Sequence, residues 1–226
     1  MILIYVVFLQ QIKTMFNYKK YGEICDFIEK RSLKTKIVSI SKNHSKESVL
    51  EAISAGVNIF GENRVSEAKS KFEELKKTYP KIQLHLTGAL QSNKVKQAIS
   101  IFDVFHTLDR EKIAKEFFKF KDEIKNKKIF IQVNTGEEQS KSGISPRDLK
   151  EFKSFCTNDM MLNICGLMCI PPVLDNPDEH FTLLQNLAKE NQLDQLSIGM
   201  SGDYEFALNF NPSYIRLGTI LFGKRN

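Results

Sequence analysis

The segment KIVSISKNHSKESVLEAISAG, residues 36–56, contains the unit from which the fold of this chain is predicted. KIVSI is short and apolar, which is typical of a buried strand, and the residues after Ser45 have the composition of a helix. Ser45 stands where it can cap the amino end of that helix, and Gly56 stands where the helix would end. The segment therefore predicts a strand that leads directly into a helix.

The same unit recurs along the whole chain. The strand-like runs are KIVSI, VNIF, IQLHL, DVFHT, KIFIQV, NICGLMCI, QLSIG and YIRLG. Each is followed by a helix-like segment, one of which Asp109 could cap, and a further helical segment, FNYKKYGEICDFIEKRS, comes before the first strand. Strict alternation predicts parallel strands with right-handed crossovers, and eight such units close a barrel. We expect an α/β fold, a single (β/α)8 TIM barrel with an extra N-terminal helix; an open doubly wound sheet is the alternative.

The composition is that of a globular protein with a basic balance. The chain has 226 residues, of which 42% are hydrophobic and 27% charged, and its formal net charge is +6. This balance suits anionic partners such as phosphates. The lysines are spread along the chain and form no arginine-rich block, so a nucleic-acid-binding module is only a distant alternative. The four cysteines contain no CxxC pair, which argues against a metal site or a disulfide framework and favours a reducing cytoplasm.

The first residues do not follow the pattern of the rest. MILIYVVFL is apolar, but it is shorter than the roughly 20 residues that span a bilayer, and it lacks the charged region and cleavage site of a secretory signal. Three interpretations are open: an apolar segment packed on the domain, a membrane-surface anchor, or an extension from a mis-set start, with Met15 as the true start. We favour the last and expect no membrane partner. Residues 1–14 are then an apolar leader outside the native fold, and residues 15–226 form the single barrel domain.

Residues suited to ligand binding follow the predicted strands, and the carboxyl ends of barrel strands are where function collects. Lys42 follows the first strand. GMSGD, residues 199–203, ends the seventh, and RLGT, residues 216–219, ends the eighth. In both of these loops small residues and a hydroxyl, Ser201 or Thr219, stand just before a helix, where free N–H groups favour a phosphate. The alternative is that both hydroxyls are ordinary helix caps.

Ordered motifs over about five-sixths of the chain carry a resemblance to a known family. They are VSISK, FGENRVSEA, LHLTGALQSNK, FHTLDR, IQVNTGEEQSKSGI, GLMCIPP, LSIGMSGDYEFAL and IRLGTILFG. The chain resembles the YggS/PROSC family of pyridoxal phosphate homeostasis proteins. That family is a single barrel similar to the amino-terminal domain of alanine racemase, and it binds pyridoxal 5′-phosphate (PLP) through a lysine.

The resemblance assigns roles to particular residues. It implies that Lys42 forms the internal aldimine with PLP, that Asn63 lies beside the 3′-oxygen of the cofactor, and that Arg216 faces its pyridine nitrogen. The other implied cofactor residues, which hold the phosphate or line the pocket, are His85, Met200, Ser201, Gly202, Gly218 and Thr219. The family usually has WHFIG where this chain reads LHLTG at residues 84–88, which puts the packing under the ring in doubt.

These residues predict a carrier of PLP rather than an efficient enzyme. Arg216 can only donate hydrogen bonds, so the pyridine nitrogen opposite it should stay unprotonated and the cofactor should be a weak electron sink. Two-base racemisation also needs a second acid–base group, which in alanine racemase is a tyrosine from a separate domain. Here the candidates, His85, His106 and Tyr204, are expected to be packing or hydrogen-bonding residues. A PLP-dependent amino-acid racemase is the alternative.

The loop EEQSKSG, residues 137–143, gives a further hypothesis. A solvated surface loop is the favoured interpretation, and the alternative is that Lys141 makes a second PLP contact or takes part in release. We expect the partners to be PLP and apo forms of PLP-dependent enzymes, and the chain to be a monomer or a weak dimer.

Overall fold

The structure is a computed structural model that describes residues 15–224. Its strands are β1 (Lys36–Ile40), β2 (Ile59–Glu62), β3 (Gln83–Leu86), β4 (Val104–Leu108), β5 (Lys128–Gln132), β6 (Ile164–Met168), β7 (Gln195–Ser197) and β8 (Tyr214–Leu217). All of them are parallel and pair in chain order, and β8 pairs with β1, so the sheet closes on itself. The predicted eight-stranded barrel is confirmed.

A helix precedes the first strand, and helical segments follow every strand. They are α1 (Tyr18–Lys30), α2 (Lys46–Ser54), α3 (Val65–Thr78), α4 (Val95–Ile101), α5 (Glu111–Phe118), α6 (Lys121–Ile124), α7 (Leu149–Ser154), α8 (Pro177–Glu190), α9 (Tyr204–Ala207) and α10 (Thr219–Phe222). The helix α1 is the predicted extra helix. The alternation of strand-like and helix-like segments in the sequence therefore predicted the architecture correctly.

Local signals at the helix ends were only partly right. The Ser45 hydroxyl accepts an N–H bond in the first turn of α2, as predicted, and Gly56 adopts a φ of +88° just after that helix ends. The predicted cap at Asp109 is wrong, because α5 follows Arg110, which makes no side-chain cap. The Asp109 carboxylate is buried and binds the Arg110 guanidinium instead. The helix begins one residue later than a cap at Asp109 requires.

The strands are buried on both faces, as parallel barrel strands are. The residues that fill the barrel interior are Val38, Ile40, Ile59, Val104, Phe130, Met168 and Tyr214. Side chains alternate between the two faces of a strand, so Lys42 continues the inward series of Val38 and Ile40 where β1 ends. Gly61 also faces inward, and a Cβ there would lie 2.4 Å from the Ile40 Cδ1 atom. The absence of a side chain at Gly61 thus leaves room for the Ile40 side chain.

The first described residues pack against the last helix, α10, and hydrogen-bond to it. Phe16 is buried and packs edge-on against Phe222, with ring centroids 5.2 Å apart. The Asn17 N–H donates to the Leu221 carbonyl at 2.7 Å. The prediction for residues 1–14 lies outside the described residues. Within residues 15–224, no helix has the length and apolar character needed to cross a bilayer, and all four cysteines are free thiols.

Candidate functional site

A cavity of about 270 Å³ opens at the carboxyl ends of the strands. The residues that line it come from the ends of six strands: Ile40, Lys42, Asn63, Thr87, Ile170, Met200, Ser201, Gly202, Arg216, Gly218 and Thr219. The structure therefore brings together every residue that the sequence predicted for the cofactor except His85. The volume is near the lower end of the range for small-molecule pockets.

The charged side chains of the lining are all positive. Lys42 and Arg216 are its charged residues, and no aspartate or glutamate is among the described residues that line the cavity. Hydroxyl groups come from Thr87, Ser201 and Thr219, and an amide comes from Asn63. Two cations with hydrogen-bond donors and without a carboxylate favour an anionic ligand.

Arg216 is held rigidly at this cavity. Its side chain is buried, and Nη1 donates to the carbonyl and the hydroxyl of Ser197 at 2.6 and 2.7 Å. Nη2 donates to the Cys169 carbonyl at 2.9 Å. Burial lowers the pKa of Arg216 from its ordinary value, yet an arginine remains protonated in proteins. These bonds leave further N–H donors of a fixed cation available at the cavity.

Ser201 joins the loop after β7 to the start of α10. Its Oγ accepts the N–H groups of Gly218 at 3.3 Å and of Ile220 at 3.4 Å. The turn before it depends on Gly199, where φ is +87° and a Cβ would lie 2.6 Å from the Ala207 Cβ atom. The two loops that were predicted to hold a phosphate are therefore in direct contact.

The opposite side of the cavity is formed by the ends of β2 and β3. The Thr87 hydroxyl donates to the Asn63 amide oxygen at 3.0 Å. Gly88 permits this approach, because a Cβ there would lie 2.5 Å from the Asn63 carbonyl oxygen. Ile40 and Ile170 are lining residues that the sequence did not assign to the site. Their position at strand ends is a signal that could have found them.

His85 lies inside the barrel, away from the cavity lining. Its Nδ1 lies 2.9 Å from His106 Nε2, and His106 Nδ1 lies 2.8 Å from the Ser197 hydroxyl. Burial lowers the pKa of His85 to about 3 and also lowers that of His106 well below its ordinary value. Both rings are therefore neutral near pH 7.

Arg216 fixes one end of this buried series of hydrogen bonds. Because a guanidinium only donates, the Ser197 hydroxyl oxygen accepts from Arg216. The direction of the two bonds that involve histidine nitrogens is set by the tautomers of His106 and His85. At the other end, His85 Nε2 is buried and has no partner in the described part of the chain. The hydrogen-bonded series thus contacts Arg216 from within the barrel.

The other polar candidates also lie away from the cavity lining. The Tyr204 hydroxyl donates to Glu205 at 2.9 Å, and burial raises the pKa of Tyr204. Lys141 forms an ion pair with Glu138 at 2.5 Å in the loop after β5. A second PLP contact at Lys141 stays a prediction. Between residues 15 and 224, no group of three histidine, cysteine or acidic residues could hold a metal ion.

Comparison with known proteins shows which family this chain resembles in sequence. Residues 25–226 match the family described as alanine racemase, N-terminal domain. The pyridoxal phosphate homeostasis protein of Aquifex aeolicus is 37% identical over 201 residues, which are 84% of this chain and 87% of the relative.

Solved structures agree with this relationship. PipY from Synechococcus elongatus, solved without PLP, superposes with a TM-score of 0.81 at 32% identity, covering 91% of this chain and 99% of PipY. The structure of PipY with PLP bound gives a TM-score of 0.78 at 30% identity, covering 91% of this chain and 100% of PipY. These matches span most of this chain and most of each relative. The chain therefore belongs to the family of pyridoxal phosphate homeostasis proteins, which is built on the alanine racemase N-terminal-domain barrel.

Proposed function

We propose that this chain binds PLP as a Schiff base on Lys42 and serves as a carrier in PLP homeostasis. The observation that carries the proposal is that one small cavity is lined both by Lys42 and by the loops of Ser201 and Thr219. An amine that can condense with an aldehyde and donors that can hold a phosphate thus lie within the reach of one small molecule. PLP contains both of these groups, the relative from Aquifex aeolicus is named a pyridoxal phosphate homeostasis protein, and PipY has been solved with PLP bound.

The donor set fits this ligand. A phosphate dianion suits a lining that has two cations and no carboxylate. A side chain on Gly202 would meet nothing within 4 Å, so the backbone there leaves room for a bulky anion. Asn63, fixed by Thr87, supplies an amide for the ring substituents. When bound, PLP would supply an aldehyde for the Lys42 amine and a ring that withdraws electrons.

Arg216 supports holding the ligand over transforming it. Its guanidinium is fixed by three hydrogen bonds and remains a donor, so it stabilises an unprotonated pyridine nitrogen opposite it. An unprotonated ring nitrogen withdraws electrons weakly, which restrains carbanion chemistry. A carboxylate in the same place would have the opposite effect.

The scarcity of proton-transfer groups supports the carrier over the racemase. Among the described residues of the lining, Lys42 is the one that carries an amine, and none is a histidine, tyrosine, cysteine or carboxylic acid. His85 and His106 bind each other inside the barrel, and Tyr204 binds Glu205. Racemisation through two bases would need a second group facing the ligand. We therefore propose release of PLP to apo enzymes as the biological role, and the free thiols are consistent with a reducing cytoplasm.

The visible spectrum of the protein loaded with PLP tests the central assignment. Wild-type protein should show the absorption band of a PLP Schiff base, and Lys42→Ala should lack it. Lys46→Ala is the matched control, since it removes an exposed lysine at the first residue of α2, just after the same loop, and it should keep the band. Borohydride reduction followed by peptide mapping should place the adduct on Lys42. A band that survives in Lys42→Ala would contradict the proposal, and efficient alanine racemisation by the loaded wild type would favour the racemase.

A further inference from the structure

A cluster of three charged residues lies beneath the loop that carries Lys42. Lys71, on α3, has its side chain 8% exposed, and Glu62, at the end of β2, is fully buried. The Lys71 Nζ atom lies 2.6 Å from a Glu62 oxygen and 2.9 Å from a Glu67 oxygen. Glu62 belongs to β2 and Glu67 to the first turn of α3. The cluster is thus built by two elements that do not contain Lys42.

This cluster binds the backbone on both sides of Lys42. Lys71 Nζ donates to the Ser41 carbonyl at 2.7 Å and to the His44 carbonyl at 3.1 Å. The Ser41 hydroxyl donates to Glu62 at 2.7 Å. The N–H of Asn43 donates to Glu67 at 2.5 Å. The residues just before and just after Lys42 are therefore fixed by the same three side chains.

β1 ends at Ile40, two residues before Lys42. The loop continues through Asn43, whose φ of +61° lies in the left-handed region that asparagine adopts more readily than most other residues with a side chain. Burying an ammonium group costs free energy because the group loses its contacts with water. That cost is offset only where all of its N–H donors find partners in the protein. Lys71 meets that condition with two carbonyls and two carboxylates, so it is committed to the loop and not available as a second amine for the ligand.

We propose that Lys71, held by Glu62 and Glu67, is a positioning residue that aims Lys42 into the cavity. This inference rests on the proposed function. Lys71 is absent from the cavity lining, so its effect passes through the backbone of the loop. The cluster should set how readily the Lys42 amine reaches an aldehyde carbon, while the loops of Ser201 and Thr219 set how tightly the phosphate is held.

Stopped-flow loading with PLP separates these two effects. Lys71→Met keeps an unbranched side chain only one atom shorter but removes its charge and donors. We expect the rate of Schiff-base formation at saturating PLP to fall by about 10-fold or more, because small displacements of a reacting group have effects of up to about 100-fold. The PLP concentration for half-maximal rate should change little, since the phosphate contacts are untouched.

Lys76→Met is the matched control. Lys76 is on the same helix and also makes a partly buried ion pair, with Asp103 at 2.7 Å, and a bond to the Ile101 carbonyl at 2.9 Å. It lies at the far end of α3 from Lys42. This variant should lower the thermal midpoint without slowing the saturating rate. If the slowing in Lys71→Met came from lost stability alone, Lys76→Met should be slowed as well.

Each outcome bears on one claim. A normal saturating rate in Lys71→Met, or equal slowing in Lys76→Met, would overturn the positioning role. If Lys71→Met does not fold, Glu67→Gln decides, because it keeps an oxygen for Asn43 while removing the charge that faces Lys71; normal loading by that variant would overturn the role. A wild-type protein that forms no Schiff base would instead refute the proposed function itself.

Discussion

Acid should unfold this barrel through two histidines that the fold keeps neutral. His85 and His106 are fully buried and hydrogen-bonded to each other. Burial lowers the pKa of His85 to about 3 and lowers that of His106 in the same direction. The unfolded chain has no such burial, and a histidine there has a pKa of about 6.5.

The sign and size of the effect follow from this difference. Above about pH 6.5 neither state binds the extra proton, so the stability is fully present. Below about pH 6.5 the unfolded chain binds a proton at His85, whereas the folded chain does not. The free energy of unfolding therefore falls by about 1.4 kcal/mol per pH unit. At about pH 5, which is about 1.5 units lower, His85 alone accounts for about 2 kcal/mol. His106 adds to the loss.

Urea unfolding at about pH 7.5 and about pH 5 measures this directly. The free energy of unfolding of the wild type should fall between the two conditions. His85→Leu should be less stable at the higher pH, but its fall should be smaller by about 2 kcal/mol, since it lacks one of the two buried imidazoles. Carboxylates that titrate in the same range act equally in both proteins. An equal fall in wild type and variant would refute the reasoning.

Two further predictions concern the barrel interior and the phosphate loops. Gly61→Ala should destabilise the fold by about 1–3 kcal/mol in urea unfolding, because the new Cβ would meet Ile40 at 2.4 Å. Gly22→Ala in α1, where a Cβ meets nothing within 4 Å, should instead be neutral or stabilising, and a Gly61→Ala protein as stable as that control would contradict the packing described. Ser201→Ala removes the oxygen that accepts from Gly218 and Ile220, so the dissociation constant for PLP should rise about tenfold in an absorbance titration; an unchanged value would remove Ser201 from the site.

The fold could be predicted from the sequence because its signals are local. Each strand-like run and the helix after it can be identified within about twenty residues, and Ser45 capped its helix as predicted. The first residue of a helix was harder to predict. Asp109 looks like a cap in sequence, but α5 begins one residue later than that cap requires, and the Asp109 carboxylate binds the adjacent arginine. Local propensity therefore identified the elements better than their exact first residues.

The site was predictable only in part. Because parallel strands carry their carboxyl ends to one rim, strand-end residues as distant in sequence as Lys42 and Arg216 were expected to converge, and both line one cavity. The family resemblance assigned His85 to the pocket, although His85 lies deeper, among the interior rings. Alternation along a strand gives the face on which a residue lies but not its depth, so the sequence pattern could not correct this assignment. The pairing of Lys71 with Glu62 joins a helix to a strand and depends on packing that no short motif encodes.

A barrel whose last strand pairs with its first has no row of unpaired backbone N–H and C=O groups along a sheet margin. Within residues 15–224, the barrel therefore offers no sheet edge to which another chain could add a strand. A partner that contacts this part of the chain would do so through the helices and the rim loops. Because the cavity opens within that rim, the surface that meets a recipient through the loops would also be the surface through which the ligand leaves.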